Sequence, residues 1–263
     1  MTDEAPLSVF NEMIMGLPFS LHVRGPADRE RLDSAVEQVW ESLRTADATF
    51  STYKSDSAIS RLNRDEPLEP DERNDVDGVL DLAEEIRVIT DGAFDVRHSG
   101  IVDPAGIVKG WAAARAAEFL RPLGVGYYLN AGGDIVLHAS CDQPAWRIGI
   151  EHPLDPSGLL AILELPGGAV ATSGSAHRGN HIIDPHTGAP ATGFAQVTVV
   201  GPSLVTADIA ATALMVTGSV NSRMSTWLEG YEILAVTRDS RAVATRGMSD
   251  KLVTELAHQT FDL

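Results

Sequence analysis

Ser203 to Gly218 reads SLVTADIAATALMVTG, and the rest of the chain is arranged around this stretch. Asp208 and Thr212 stand four apart, so at 3.6 residues per turn the carboxylate and the hydroxyl lie one above the other on one helix face. Ile209, Ala210, Ala211, Ala213, Leu214 and Met215 leave almost no polar surface beside them, and a helix apolar nearly all round is a buried helix. A buried carboxylate needs a cation, hydrogen-bond donors or neutralisation. Carboxylate, hydroxyl and a nearby backbone carbonyl are hard oxygen ligands of the kind that suit magnesium. The spacing equally allows a plainer arrangement, in which Asp208 caps a helix starting near Thr206 and Thr212 bonds back to the carbonyl one turn earlier.

The 263 residues can form one large domain or two small ones, and 44% apolar content supplies a packed core. A net charge of -17 provides no basic field for nucleic acid or an anionic membrane, so an anionic substrate must be met locally by a metal, a lysine or backbone amides. The single cysteine, Cys141, excludes an intramolecular disulfide and Cys-rich metal sites. The acidic start MTDEAPLSVFNEMIMG lacks the basic region and apolar run of a secretory signal, and no run reaches the ~18 apolar residues of a membrane span. This reading expects a cytoplasmic protein without a membrane anchor.

Periodicity places a first strand at 19–23 and an amphipathic helix over 28–45. The serine-rich segment 50–64 reads as an ordered loop carrying Tyr53, placed either to stack on a planar ring or to pack at the domain edge. A connector at 65–75 precedes a helix built on Val76, Val79, Leu80, Ala83 and Ile86 and stopped by Asp91-Gly92. The next helix begins near Val108, with Lys109 in its first turn, where a cation opposes the helix dipole; an anion shared with the free amides explains it better. Strands at 127–130 and 135–138 flank Ala131-Gly132-Gly133-Asp134, a turn able to approach a ligand closely. Further strands are expected at 146–152, 159–165, 169–173 and 196–201, the third ending in Thr172-Ser173-Gly174. A short helix at 220–228, a hairpin of 231–237 with 242–248 and a helix at 249–258 close the chain. Hairpins dominate over parallel crossovers, so the fold class is α+β, with antiparallel sheets and packed helices. Residues 177–188 are the densest collection of functional groups, but His177, His181 and His186 lack helical spacing and no cysteine assists, which disfavours zinc.

In chain order, Met15-Gly16, STYKSDSAISRLN (51–63), DGAFD (91–95), DPAGIVKGWA (103–112), NAGGDI (130–135), WRIGIEHP (146–153), ATSG (171–174), HIIDPHTGAP (181–190) and VTADIAATAL (205–214) resemble the ApbE family, the FAD:protein FMN transferases. The resemblance covers nearly the whole chain and implies a single domain over 1–263 with a T-fold-like core, a short member without the lipoprotein signal of many relatives. It implies a magnesium-dependent enzyme that moves FMN from FAD onto a serine or threonine of an acceptor flavoprotein and releases AMP. A hydrolase yielding FMN and AMP, or a flavin-binding protein without turnover, would use the same site. Carried over, the metal ligands are Asp208, Thr212 and the carbonyl of Val108, where the family usually has alanine. Cofactor contacts fall on Met15, Tyr53, Asp103, Lys109, Gly132, Gly133, Asp134, Thr172, Ser173 and Gly174. His181 matches the histidine implicated in activity, beside Lys109 and Asp208. The chain departs from the family in a much shortened segment between Asp95 and Asp103, in Ala114 where an aspartate is frequent, and in Ser175-Ala176 after the TSG motif.

Overall fold

A computed structural model describes residues 7–176, 179 and 181–253. Strand β1 (Leu7–Ile14) turns through Met15 and Gly16, both at positive φ, into β2 (Leu17–Arg24). Such a two-residue turn matches the twist of a hairpin. Helix α1 (Arg29–Phe50) is capped by Asp28 and buries Leu32, Val36, Val39, Trp40 and Leu43 at the three- and four-residue spacing of an amphipathic face. Then follow α2 (Ala58–Leu62), α3 (Pro70–Ile89) and α4 (Ala105–Ala117).

The second half is mainly strands: β3 (Gly126–Ala131), β4 (Asp134–His138), β5 (Trp146–His152), β6 (Asp155–Leu165), β7 (Gly167–Gly174) and β8 (Gln196–Gly201). Helices α5 (Leu204–Thr217) and α6 (Ser222–Trp227) precede the closing strands β9 (Glu232–Val236) and β10 (Ala242–Ala244). Eight strands form one antiparallel sheet in the order β1-β2-β3-β4-β7-β8-β9-β10, and β5 pairs with β6 as a separate ribbon.

Alternation along the strands sorts side chains to two cores. Ala169 and Ala171 of β7 and Val197 and Val199 of β8 face the helices, whereas Val170 and Val200 join Ile148, Ile150 and Leu163 of the ribbon on the other side. Helix α5 lies against β7 and β8 with α4 packed on it. Gly110 of α4, where a Cβ would stand 3.3 Å from the Leu204 carbonyl of α5, brings the two backbones close. Ser203 caps the start of α5, and Gly218 ends it in the left-handed conformation, donating its N–H to the Leu214 carbonyl at 3.0 Å. Fully burying a side chain such as Leu214 contributes about 1.5–3 kcal/mol.

The α+β class stands, with corrections inside it. Residues 7–14 form an edge strand that the sequence reading did not place. The loop at 50–64 contains α2, started by Ser57, whose Oγ accepts from the Ser60 N–H. Helix α3 starts at Pro70, inside the expected connector, because Glu69 and Glu72 complete a capping box and proline suits a first helical position. The last strand ends at Ala244 and residues 246–251 form a 3-10 helix, so the expected helix at 249–258 is not seen up to Val253 and otherwise lies outside the described residues. His177, Arg178 and Asn180 also lie outside them. No described helix is long and apolar enough to cross a membrane.

Candidate active site

Helices α4 and α5, the ends of β3, β4 and β7, the β1–β2 turn and the loop carrying Tyr53 surround one cleft of about 1730 Å³. Val108, Lys109, Asp208 and Thr212 line it, together with Met15, Tyr53, Asp103, Gly132, Gly133, Thr172, Ser173, Gly174 and His181. Asp134 is the one expected site residue that does not.

Asp208 and Thr212 share a face of α5, as their spacing requires. Asp208 cannot be a cap, because α5 already begins at Leu204. Its Oδ1 lies 3.4 Å from Lys109 Nζ, and its Oδ2 is buried without a hydrogen-bond partner. A side chain on Gly110 would meet that Oδ2 at 3.0 Å, so the orphaned oxygen faces α4 at the point where α4 has no Cβ. Thr212 Oγ1 does not serve its own helix; it lies 3.2 Å from Ser173 Oγ at the end of β7. Burial pushes the Asp208 carboxyl up to about 7, against the attraction of Lys109 and with further repulsion from Asp134.

Lys109 is the fifth residue of α4, not a first-turn residue, because α4 starts at Ala105, where the Asp103 carboxylate accepts the backbone N–H at 3.1 Å. The anions it meets within the chain are Asp134 and Asp208. Burial alone would lower its pKa, but the two carboxylates outweigh it and hold the ammonium above the ordinary lysine value.

Gly132 and Gly133 make the β3–β4 turn at φ 61° and 112°, and Asn130 Oδ1 accepts the Gly133 N–H at 2.7 Å. Both conformations suit glycine and leave the turn bare toward the cleft. Asp134, expected beside the dinucleotide, is instead 1% exposed: Oδ1 accepts the Thr172 N–H at 3.0 Å and Oδ2 meets Lys109. Its carboxylate is used inside the fold.

Tyr53 is 98% exposed at the cleft wall, so it does not pack at the domain edge. His181 is exposed, with Nδ1 3.1 Å from the Gly179 carbonyl. A carbonyl only accepts, so Nδ1 carries the proton, and in the neutral ring Nε2 is then the nitrogen with the lone pair. The shortened segment before Asp103 is held by Asn63, whose side-chain amide donates to the Val102 carbonyl at 2.9 Å and accepts the Val102 N–H at 2.8 Å. The sequence reading missed the ribbon wall, Ile148 to His152, and Gln196, which also line the cleft. Among the described residues no group of three or more His, Cys, Asp or Glu could hold a metal ion.

A model of the ApbE family matches residues 15–103 and 97–237. The chain belongs to the ApbE family. The FAD:protein FMN transferase of Vibrio cholerae is 30% identical over an alignment of 256 positions, gaps included, with 74% of this ApbE chain and 75% of that protein covered. The enzyme of the same description from Salmonella typhimurium is 25% identical over 317 aligned residues, with 92% and 90% covered. The solved flavin transferase ApbE from Vibrio cholerae has a TM-score of 0.77 at 26% identity, covering 94% of this chain and 100% of its own. The ApbE protein of Thermotoga maritima has a TM-score of 0.80 at 21% identity, with 94% and 99% covered, a likeness of fold.

Proposed function

We propose that this ApbE chain is a single-domain, magnesium-dependent FAD:protein FMN transferase that joins FMN from FAD to a serine or threonine hydroxyl of an acceptor flavoprotein and releases AMP. The observation that carries the reading is the buried, partnerless Asp208 Oδ2 in a cleft shared with Lys109. Hard oxygen donors fit magnesium: Asp208, Thr212 and the Val108 carbonyl would hold it, and it would supply Lewis-acid charge at the pyrophosphate.

The chain's own residues do the rest. A pyrophosphate repels an incoming nucleophile, and a protein of net charge -17 offers no general field to offset this. Lys109, kept charged by its two carboxylates, supplies a fixed cation in a water-poor wall, where such a charge acts most strongly. The bare Gly132-Gly133 turn lets backbone approach the dinucleotide, and Thr172, Ser173 and Gly174 border the same space. Tyr53 offers a ring face for stacking. His181 Nε2 takes the proton of the acceptor hydroxyl as its oxygen bonds to the FMN-side phosphorus and AMP leaves. The cleft exceeds the roughly 300–1,000 Å³ of an ordinary ligand pocket, which leaves room for an acceptor segment beside FAD. Cys141 is an exposed free thiol, in keeping with a reducing cytoplasm.

Incubation with FAD, magnesium and a threonine-bearing acceptor domain, followed by AMP release and acceptor mass, tests this. An FMN adduct formed one-for-one with AMP is the expected result. AMP without adduct would make the protein a pyrophosphatase, and FAD bound but uncut would make it a carrier.

A further inference from the structure

Lys109 has one charge and two carboxylates to serve. Its Nζ contacts Asp134 and lies 3.4 Å from Asp208 Oδ1, so the trio sets one cationic group against two acidic ones. Asp134 is 1% and Asp208 4% exposed. A buried excess of negative charge is costly until a cation balances it. Which acid receives the ammonium therefore decides which one is left for a metal.

The two acids are not equivalent. Asp134 gives Oδ1 to the Thr172 N–H, and its Oδ2, which has no hydrogen-bond partner either, is the oxygen that Lys109 pairs with; Asp134 does not line the cleft. Asp208 lines the cleft and keeps Oδ2 partnerless. The Thr172 contact also joins the start of β4 to the end of β7, where Ser173 meets Thr212. Asp134 thus touches α4 and β7 at once, from behind the cleft wall.

We propose that Asp134 is a positioning residue that draws Lys109 toward β4 and so leaves Asp208 open to a divalent cation. With Asp134 neutral, Lys109 closes on Asp208 as a balanced pair, and an incoming metal has to displace the ammonium. The inference rests on the magnesium-dependent reading of this cleft and adds to it a residue that touches neither metal nor substrate.

Titration calorimetry with magnesium chloride, with and without FAD, tests it on the full chain. Asp134→Asn keeps a side-chain carbonyl for the Thr172 N–H and removes the charge. Its magnesium affinity is expected to fall at least tenfold. Lys109→Met in the same chain is expected to restore it, because no ammonium remains to close on Asp208. Lys109→Met alone, titrated without FAD, is expected to bind magnesium at least as tightly as the wild type, and this arm stands even if Asp134→Asn fails to fold. Unchanged affinity in Asp134→Asn, a double variant as weak as Asp134→Asn, or weakened binding in Lys109→Met would overturn the proposal. A wild-type protein that binds no magnesium even with FAD would overturn the reading of the site itself, and this inference with it.

Discussion

Replacing Asp208 with asparagine is expected to stabilise the metal-free protein above neutral pH while abolishing FMN transfer. Burial raises this carboxyl from its ordinary 3.8 to about 7. An acid whose folded value lies above its unfolded one contributes stability that is fully present below about pH 3.8 and lost as pH rises through about 7. Holding ionisation back over that interval corresponds to about 4 kcal/mol. That figure already includes the attraction to Lys109; the amide instead buries a polar group at the partnerless Oδ2 position, which costs roughly 1–3 kcal/mol and leaves about 2 kcal/mol in favour of the variant at pH 8. For a chain of this length 1 kcal/mol moves the melting temperature by about 2 °C, so the variant should melt about 4 °C higher. Calorimetric melts in a metal chelator at pH 5 and pH 8 measure it. The two proteins should nearly coincide at pH 5 and separate at pH 8, and added magnesium should raise only the wild type. An asparagine variant that melts below the wild type at pH 8 without metal would refute the reasoning, because the buried acid would then be stabilising the fold rather than awaiting a cation.

Three further outcomes follow from the same geometry. Gly110→Ala sets a methyl group 3.0 Å from Asp208 Oδ2 and 3.3 Å from the Leu204 carbonyl; overpacking of about 1–3 kcal/mol is partly offset by the ~1 kcal/mol helix preference of alanine. Melting should therefore drop only slightly while turnover falls at least tenfold, and unchanged kcat would show that Oδ2 is not used. Magnesium affinity of the wild type should climb as pH rises from 5.5 to 7, by up to roughly tenfold per pH unit, since the metal must displace the proton that burial keeps on Asp208. A flat calorimetric profile would contradict this. Tyr53→Ala should leave melting unchanged, because the side chain is 98% exposed, yet raise KM for FAD several-fold through loss of about 0.5–1.5 kcal/mol of stacking. An unaltered KM would remove Tyr53 from the cofactor contacts.

The legibility of this fold varies with how local its determinants are. Helix α5 reads directly because its cap, its apolar surround and its left-handed glycine stop all lie within sixteen consecutive residues. Strands β5 and β8 carry their alternation or continuous burial in short uninterrupted runs and fall where the sequence puts them. Strand β1 does not, because Leu7, Val9 and Met13 point to solvent from the sheet edge while Ser8 and Glu12 lie on the half-buried side, reversing the usual pattern. In the site, Asp208 and Thr212 are legible because a helix converts spacing into proximity. The Lys109–Asp134 pair is not, since it joins a helix to a strand turn by tertiary packing alone, and a sequence offers Asp134 as readily to a ligand as to a lysine. The ribbon wall from Ile148 to His152 escapes for the same reason: its alternation fixes a strand but not the cleft that the strand borders.

Diffraction from crystals grown with FAD and manganese in place of magnesium, at the manganese absorption edge, tests the central claim most directly. The account predicts one anomalous peak bonded to Asp208, Thr212 and the Val108 carbonyl, with the flavin dinucleotide's phosphates against it and Lys109 still held by Asp134. A peak elsewhere in the cleft, or none while Asp208 stays turned to Lys109 and Thr212 to Ser173, would contradict it.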